Sequence, residues 1–283
     1  MDEQVTIFDA HTHIFPPAVV AAPEAVDDPY FQQLYAAPRR RLLTGPALIA
    51  AMDQAEVSRA VVVGWGWRQL ELCQRQNDYL LDQAARYPDR LAVFAAIAPA
   101  AGEAAVREIE RVAAAGARGL GELMPDGQGV SADDPALDPI AELAAALGLV
   151  LLLHASEPVG HGYPGKGSAH PAALTRLASR HPATRFILAH AGGGLPFYHL
   201  MPEVAAALAN VWYDTAAAPL LYQPALYRHL VDLVGLERVL FASDAPLIGY
   251  RRPLAHFAAA PLSPAERRAV GGENIARLLA NGR

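Results

Sequence analysis

From residue 46 onward the chain alternates between short apolar runs and longer segments whose apolar positions recur every three to four residues. The apolar runs are residues 58–67, 91–98, 117–122, 149–154, 185–190, 211–215 and 238–243. They are strand-length, and Leu149-Val-Leu-Leu-Leu is almost wholly aliphatic, as expected of a strand buried on both faces. The segments between them predict helices over 46–56, 69–87, 103–115, 135–147, 169–180, 196–209 and 223–234, with two short ones at 264–270 and 273–279. Pro46 falls in a first helical turn, and Gly116 and Gly148 fall where helices stop. With the opening run Val5-Thr6-Ile7-Phe8 there are eight strands, each followed by helical material. Strict alternation implies parallel strands, and eight of them predict an α/β fold of the closed (β/α)8 TIM-barrel type, with residues 1–283 as one domain.

Residues 14–45 break this rhythm. Pro16, Pro17, Pro23, Pro29 and Pro38 lie among Phe15, Tyr30, Phe31 and Tyr35. Proline at that density argues against one continuous helix, and a long loop in a compact domain is usually functional. The expectation is a proline-rich lid inserted after strand 1, over the mouth of the barrel.

Composition narrows the class. The chain is 53% hydrophobic and 18% charged, with a net charge of -6, so no electrostatic feature favours nucleic acid. No uncharged apolar run reaches the roughly 20 residues of a membrane helix. The acidic start Met1-Asp2-Glu3-Gln4 does not read as a secretory signal, and a single cysteine, Cys73, excludes an intrachain disulfide and fits a cytoplasmic location. The partner expected is a small-molecule substrate, with no membrane or nucleic acid; homo-oligomerisation is left open.

The strand ends carry the candidate chemistry. Asp9, His11 and His13 alternate along strand 1 and so share a face, where two imidazoles can reach one metal ion. Glu122 ends strand 4, His154 strand 5, His190 strand 6, and Asp244 follows strand 8. In a barrel these C-terminal ends converge on one face, where active sites lie. Imidazoles and carboxylates without thiolates describe a catalytic divalent-metal site, zinc first, with manganese or another ion as alternatives. Lys166 is the only lysine, so a carboxylated lysine bridging two metals would have to be that residue or be absent.

Asp-Ala-His11-Thr-His13, His154 and His190 after aliphatic strands, Ser-Asp244, and the tail Gly272-Glu-Asn-Ile-Ala-Arg-Leu-Leu together resemble the amidohydrolase superfamily. The closest likeness is to its amidohydrolase-related branch of metal-dependent hydrolases and decarboxylases, which includes aminocarboxymuconate-semialdehyde decarboxylase. The resemblance implies that His11, His13, His154 and Asp244 bind the metal, that His190 acts beside it, and that Asp244 also moves a proton. Glu122 stands where some superfamily members place a bridging ligand; it is either a ligand or an acceptor that orients a ligand histidine.

Around this set, the glycine-rich segment 157–167 after strand 5 offers Lys166 or His161 to a substrate anion and Tyr163 as a further substrate contact, and Trp65 and Trp67 offer an aromatic wall. Ala191-Gly192-Gly193-Gly194 permits close backbone approach to a ligand. The reaction expected first is hydrolysis of an amide, lactone or ester by metal-activated water. Metal-dependent decarboxylation of an aromatic or enol acid is the alternative, and a barrel that binds without turnover stands third.

Overall fold

The computed structural model describes residues 5–35 and 42–281. Eight strands are present: β1 (Ile7–Thr12), β2 (Val57–Val63), β3 (Leu91–Ala95), β4 (Gly119–Leu123), β5 (Val150–Leu153), β6 (Arg185–Leu188), β7 (Val211–Asp214) and β8 (Val239–Leu240). Each pairs in parallel with its successor in the order β1 to β8. The ring is drawn shut where β1 meets the segment after β8: Ala10 N–H donates to the Phe241 carbonyl (2.9 Å), Asp244 N–H to that of His11 (3.0 Å) and His13 N–H to that of Ala245 (2.6 Å). This is the (β/α)8 barrel that the alternation predicts.

The alternation of side chains sorts the core into two layers. Val61 and Val63, Val150 and Leu152, and Leu240 and Ala242 point inward with Phe8, Phe94 and Ile187. Their neighbours, among them Ala60 and Val62 and Leu151 and Leu153, face the surrounding helices. The helix Asn274–Ala280 lays Ile275, Leu278 and Leu279 against the inner layer. Arg185, at the start of β6, donates to the Leu278 carbonyl, which puts this plug at the N-terminal end of the barrel. Each of these buried aliphatic side chains contributes on the order of 2 kcal/mol by leaving water.

The differences from the predicted elements have local causes. Residues 14–35 are not loop. They form the short helices Pro17–Ala21 and Pro29–Tyr35 with a 3-10 turn between them, each begun by a proline at its first turn, where the missing N–H costs nothing. Phe31, Leu34 and Tyr35 pack with Phe15, Trp65 and Trp67 in a third cluster at the barrel mouth. The predicted lid is here a packed wall; its residues 36–41 lie outside the described residues. The helix predicted over 196–209 is split into a 3-10 segment, Leu195–Leu200, and a helix, Pro202–Ala207, because Pro202 cannot continue a helix. An additional helix, Arg251–Ala258, carries Pro253 in its first turn and buries Pro253 and Phe257. No helix among the described residues is long and apolar enough to cross a membrane.

Candidate active site

The strand ends gather six of the predicted side chains. On β1, His11 Nε2 and His13 Nε2 lie 3.1 Å apart. Their other ring nitrogens are engaged: His11 Nδ1 meets Asp214 Oδ2 at 2.9 Å, and His13 Nδ1 meets the Val63 carbonyl at 3.1 Å. A carboxylate and a carbonyl accept, so each Nδ1 carries a proton and each Nε2 is turned toward the other. Glu122 Oε2 sits 3.4 Å from His11 Nε2 and 3.5 Å from His13 Nε2, and Asp244 Oδ1 sits 3.7 Å from His13 Nε2. Asp9, on the same strand, turns away; its carboxylate accepts from the Ser243 hydroxyl and from the backbone N–H groups of Ser243 and His11.

The other oxygen of Glu122 serves a second pair. Oε1 lies 3.0 Å from His154 Nδ1 and 3.4 Å from His190 Nε2, and these two nitrogens are 3.1 Å apart. His190 donates from Nδ1 to the Ala216 carbonyl at 3.0 Å, which leaves its Nε2 facing the cluster. His11, His13 and Glu122, and Glu122, His154 and His190, are therefore two donor triads that share one carboxylate, all of them buried.

Two strand ends reach the site by leaving the regular pattern. The β4–β5 register slips between Leu120 and Leu123, and Gly121 between them has φ of 122°. A Cβ on Gly121 would lie 2.3 Å from the Leu152 carbonyl oxygen, so only glycine fits where the chain turns Glu122 into the cluster. After β6, His190 and Ala191 have φ of 56° and 54°. The glycines that follow serve the fold: a Cβ on Gly193 would meet the Ser156 carbonyl oxygen at 2.4 Å, so the close backbone approach there is to the β5 loop.

The electrostatics ask for positive charge. Burial opposes ionisation of His11, but Glu122 and Asp214 beside it hold it well above the usual imidazole range. Burial likewise opposes the Glu122 charge, yet His11, His13 and His154 keep its carboxyl well below the usual range. For His190 the bond to and charge of Glu122 outweigh burial and raise it to about 9. Burial raises Asp244 despite the imidazoles around it. Buried carboxylates facing two imidazole Nε2 atoms 3.1 Å apart suit a cation between them, and these donor types are those that zinc or manganese accepts. The residues present fit a divalent ion.

Above this floor lies a cavity of about 220 Å³. His13, Glu122, His154, His190 and Asp244 line it below; Tyr35, Trp65, Met124, Leu220, Leu221 and Leu247 are among its apolar walls. Of the predicted substrate contacts, His161 and Tyr163 line it, and the Tyr163 hydroxyl donates to Glu157 at 2.9 Å. Lys166 does not line it; its ammonium donates to the carbonyls of Val159 (2.7 Å) and His161 (3.1 Å). Trp67 is packed behind the wall with Nε1 donating to Gln76 at 2.6 Å, and Trp65 takes the lining position.

One residue of the site was not singled out from the sequence. Asp214 ends Val211-Trp-Tyr-Asp, is fully buried, and bonds His11, His190 and Ala216. The signal was there: it too is a polar residue that terminates a short apolar run.

A (β/α)8 barrel whose strand ends converge in buried imidazoles and carboxylates defines a class of metal-dependent barrel enzymes. The amidohydrolase family model matches residues 8–280, and the chain belongs to that family. It is an enzyme of the amidohydrolase superfamily. Two gamma-resorcylate decarboxylases are similar to it: that of Polaromonas sp. (strain JS666 / ATCC BAA-500) is 25% identical and that of Rhodococcus jostii (strain RHA1) 26% identical, each match covering 75% of this chain and 77% of the relative. Among solved structures, a 5-carboxyvanillate decarboxylase from Novosphingobium aromaticivorans DSM 12444, complexed with manganese and 4-hydroxy-3-methoxy-5-nitrobenzoic acid, shares the fold with a TM-score of 0.80 at 19% identity, over 98% of this chain and 96% of that one.

These relatives overturn hydrolysis as the first reading of the sequence. The physical reason is that the same imidazoles and carboxylates serve either reaction. They suit a held cation and a moved proton in both, and leave open whether water or the substrate's own carboxylate is the reacting group.

Proposed function

We propose that this protein is a divalent-metal-dependent, non-oxidative decarboxylase of an aromatic carboxylic acid bearing a hydroxyl next to the carboxyl group, gamma-resorcylate being the type. The observation that carries the proposal is the similarity to the two gamma-resorcylate decarboxylases over three quarters of the chain. The apolar, aromatic-walled cavity above a floor of proton-bearing groups supports it.

In this reading His11, His13 and Glu122 hold the ion, with His154 and Asp244 completing the donor set. Manganese is named with the 5-carboxyvanillate decarboxylase, and zinc suits the same ligands, so both belong in the test. A bound divalent ion would draw in the substrate's carboxylate and neighbouring oxygen and offset their charge. Trp65 and Tyr35 bound the apolar end, where a flat ring loses its water. Asp244, on the floor and only 6% exposed, gives its proton to the ring carbon that carries the carboxylate. The new C–H bond forms, the C–C bond to the carboxylate breaks, its electron pair restores the aromatic ring, and CO2 leaves. Water then returns a proton to Asp244. His190 Nε2, exposed to the cavity and fixed by its Nδ1 bond to Ala216, holds the ring hydroxyl through the step.

The test is CO2 release from gamma-resorcylate and related hydroxybenzoates by protein loaded with manganese or zinc, with metal content measured on the same sample. Metal-dependent CO2 and the matching phenol are expected. A fully metallated protein that releases no CO2 from any member of the panel would overturn the proposal. One ion per chain would leave His190 free for substrate, whereas two would make Glu122 a bridge.

A further inference from the structure

Asp214 is a buried carboxylate that touches the site and does not line the cavity. Its two oxygens have separate tasks. Oδ2 accepts from His11 Nδ1 at 2.9 Å. Oδ1 accepts from the backbone N–H of His190 at 3.0 Å and from that of Ala216 at 3.0 Å. The Ala216 carbonyl in turn accepts from His190 Nδ1 at 3.0 Å, so Asp214, Ala216 and His190 form a closed ring of bonds.

Each half has a consequence. A carboxylate at Nδ1 places the His11 proton there and leaves the Nε2 lone pair for the ion. The bond to His190 N–H pins a residue whose φ of 56° is strained for any side chain with a Cβ. Without an acceptor that N–H would be a buried orphan, and the backbone would gain by relaxing. We infer that Asp214 is a positioning residue that couples the two halves of the centre: one oxygen fixes the ligating tautomer of His11, and the other holds the His190 turn in its working shape. The coupling to turnover rests on the decarboxylase reading; the effect on metal affinity does not.

Two variants separate the halves. In Asp214→Asn the amide oxygen can still accept from His190 and Ala216, which turns the amide N–H toward His11. A donor at Nδ1 favours the tautomer with its proton on Nε2, the wrong one for an ion. Manganese affinity, measured by titration followed by electron paramagnetic resonance, should fall about 10- to 100-fold. At saturating manganese, kcat for CO2 release should return to within a few fold of the parent, since the His190 anchor is kept. In Asp214→Ala both supports go: affinity falls as far, and kcat stays depressed at saturating metal. A residue that only supports the fold would lower the unfolding temperature of both variants and leave the manganese Kd unchanged.

A further measurement needs no variant. In the zinc-loaded protein labelled with 15N-histidine, His11 should carry its proton on Nδ1 and its metal on Nε2. Ligation through Nδ1, or Asp214→Asn binding manganese as tightly as the parent, overturns the inference. If no CO2 is released even by the parent, the decarboxylase reading fails while the affinity and tautomer results still decide the role of Asp214.

Discussion

The end of β5 and the ends of β4, β6 and β8 supply the same centre by opposite means. Val150 and Leu152 point into the barrel, and two residues further His154 does the same. This strand delivers a functional side chain by continuing its alternation, whereas past β8 Asp244 sits in a left-handed turn with φ of 64°. On β6 the inward positions are Ile187 and Ala189, so regular continuation would aim His190 outward; the left-handed turn at His190 brings it in. On β4 the slip at Gly121 does the same for Glu122. The difference teaches where the centre is stiff for free and where it has to be held: regular ends inherit their geometry from the ladder, and irregular ends depend on a glycine or a buried acceptor such as Asp214.

The largest expected effect lies at Asp244, past β8. Asp244→Asn should lower CO2 release by about 100- to 10,000-fold, since a positioned proton donor is lost, while circular dichroism shows an unchanged fold. Retained activity would remove Asp244 from the chemistry. Removing the metal should weaken both kinds of end together: at an ion concentration 100-fold above Kd, chelation costs about 2.7 kcal/mol of stability, read as a fall in unfolding temperature. An unchanged unfolding temperature in chelator would show that the donor cluster binds no ion.

Gly121→Ala should break the irregular β4 end specifically. The clash with the Leu152 carbonyl and the positive φ together cost roughly 1–3 kcal/mol, and metal content should fall as Glu122 shifts. Full metal content with parental stability would mean that Glu122 does not depend on this turn. A paired substitution sharpens the contrast. Ala155→Gly, just past the regular β5, removes a buried methyl and adds chain entropy, whereas Ala191→Gly, just past β6, also relieves a left-handed alanine. Ala155→Gly should therefore be the more destabilising by about 1–2 kcal/mol in denaturant unfolding. Equal losses would count against strain at the β6 end.

The smallest effect serves as a control outside both regions. Glu108, on the helix Glu103–Ala114, bonds Arg111 and Asn77. Burial opposes its charge, but those bonds win and hold its carboxyl below the usual range. Its contribution to stability is therefore fully present above the ordinary glutamate value of about 4.3 and is lost as pH falls through the lower folded value. Glu108→Gln should flatten the acid side of the stability profile, in pH-dependent thermal unfolding, and leave CO2 release untouched.

How far the sequence could be read follows the same division. His154 is legible because an apolar run in phase points at it, and Asp244 as the polar end of another such run. His11 and His13 were legible as an alternating pair. Glu122 and His190 were found as polar ends of apolar runs, but nothing in the period says they turn inward. Trp65 and Trp67 are both legible as aromatic walls, and only Trp65 lines the cavity, because loop side chains obey no alternation. Lys166 was offered to a substrate anion, and its own loop's carbonyls take it instead. Asp214 went unremarked because its importance lies in what it bonds, and its partners are 203 and 24 residues away in sequence.

The sequence by itself determined the barrel, since eight apolar runs separated by amphipathic helices have few ways to bury their surfaces, and it determined that imidazoles and carboxylates would gather at one end. Only the tertiary structure decided which oxygen of Glu122 faces which histidines, which nitrogen of His11 is bare, and that the proline-rich segment packs as a wall. Those outcomes depend on contacts a few ångströms long between residues far apart in the chain. Periodicity fixes the face on which a side chain lies, whereas a hydrogen bond also requires the distance and the partner.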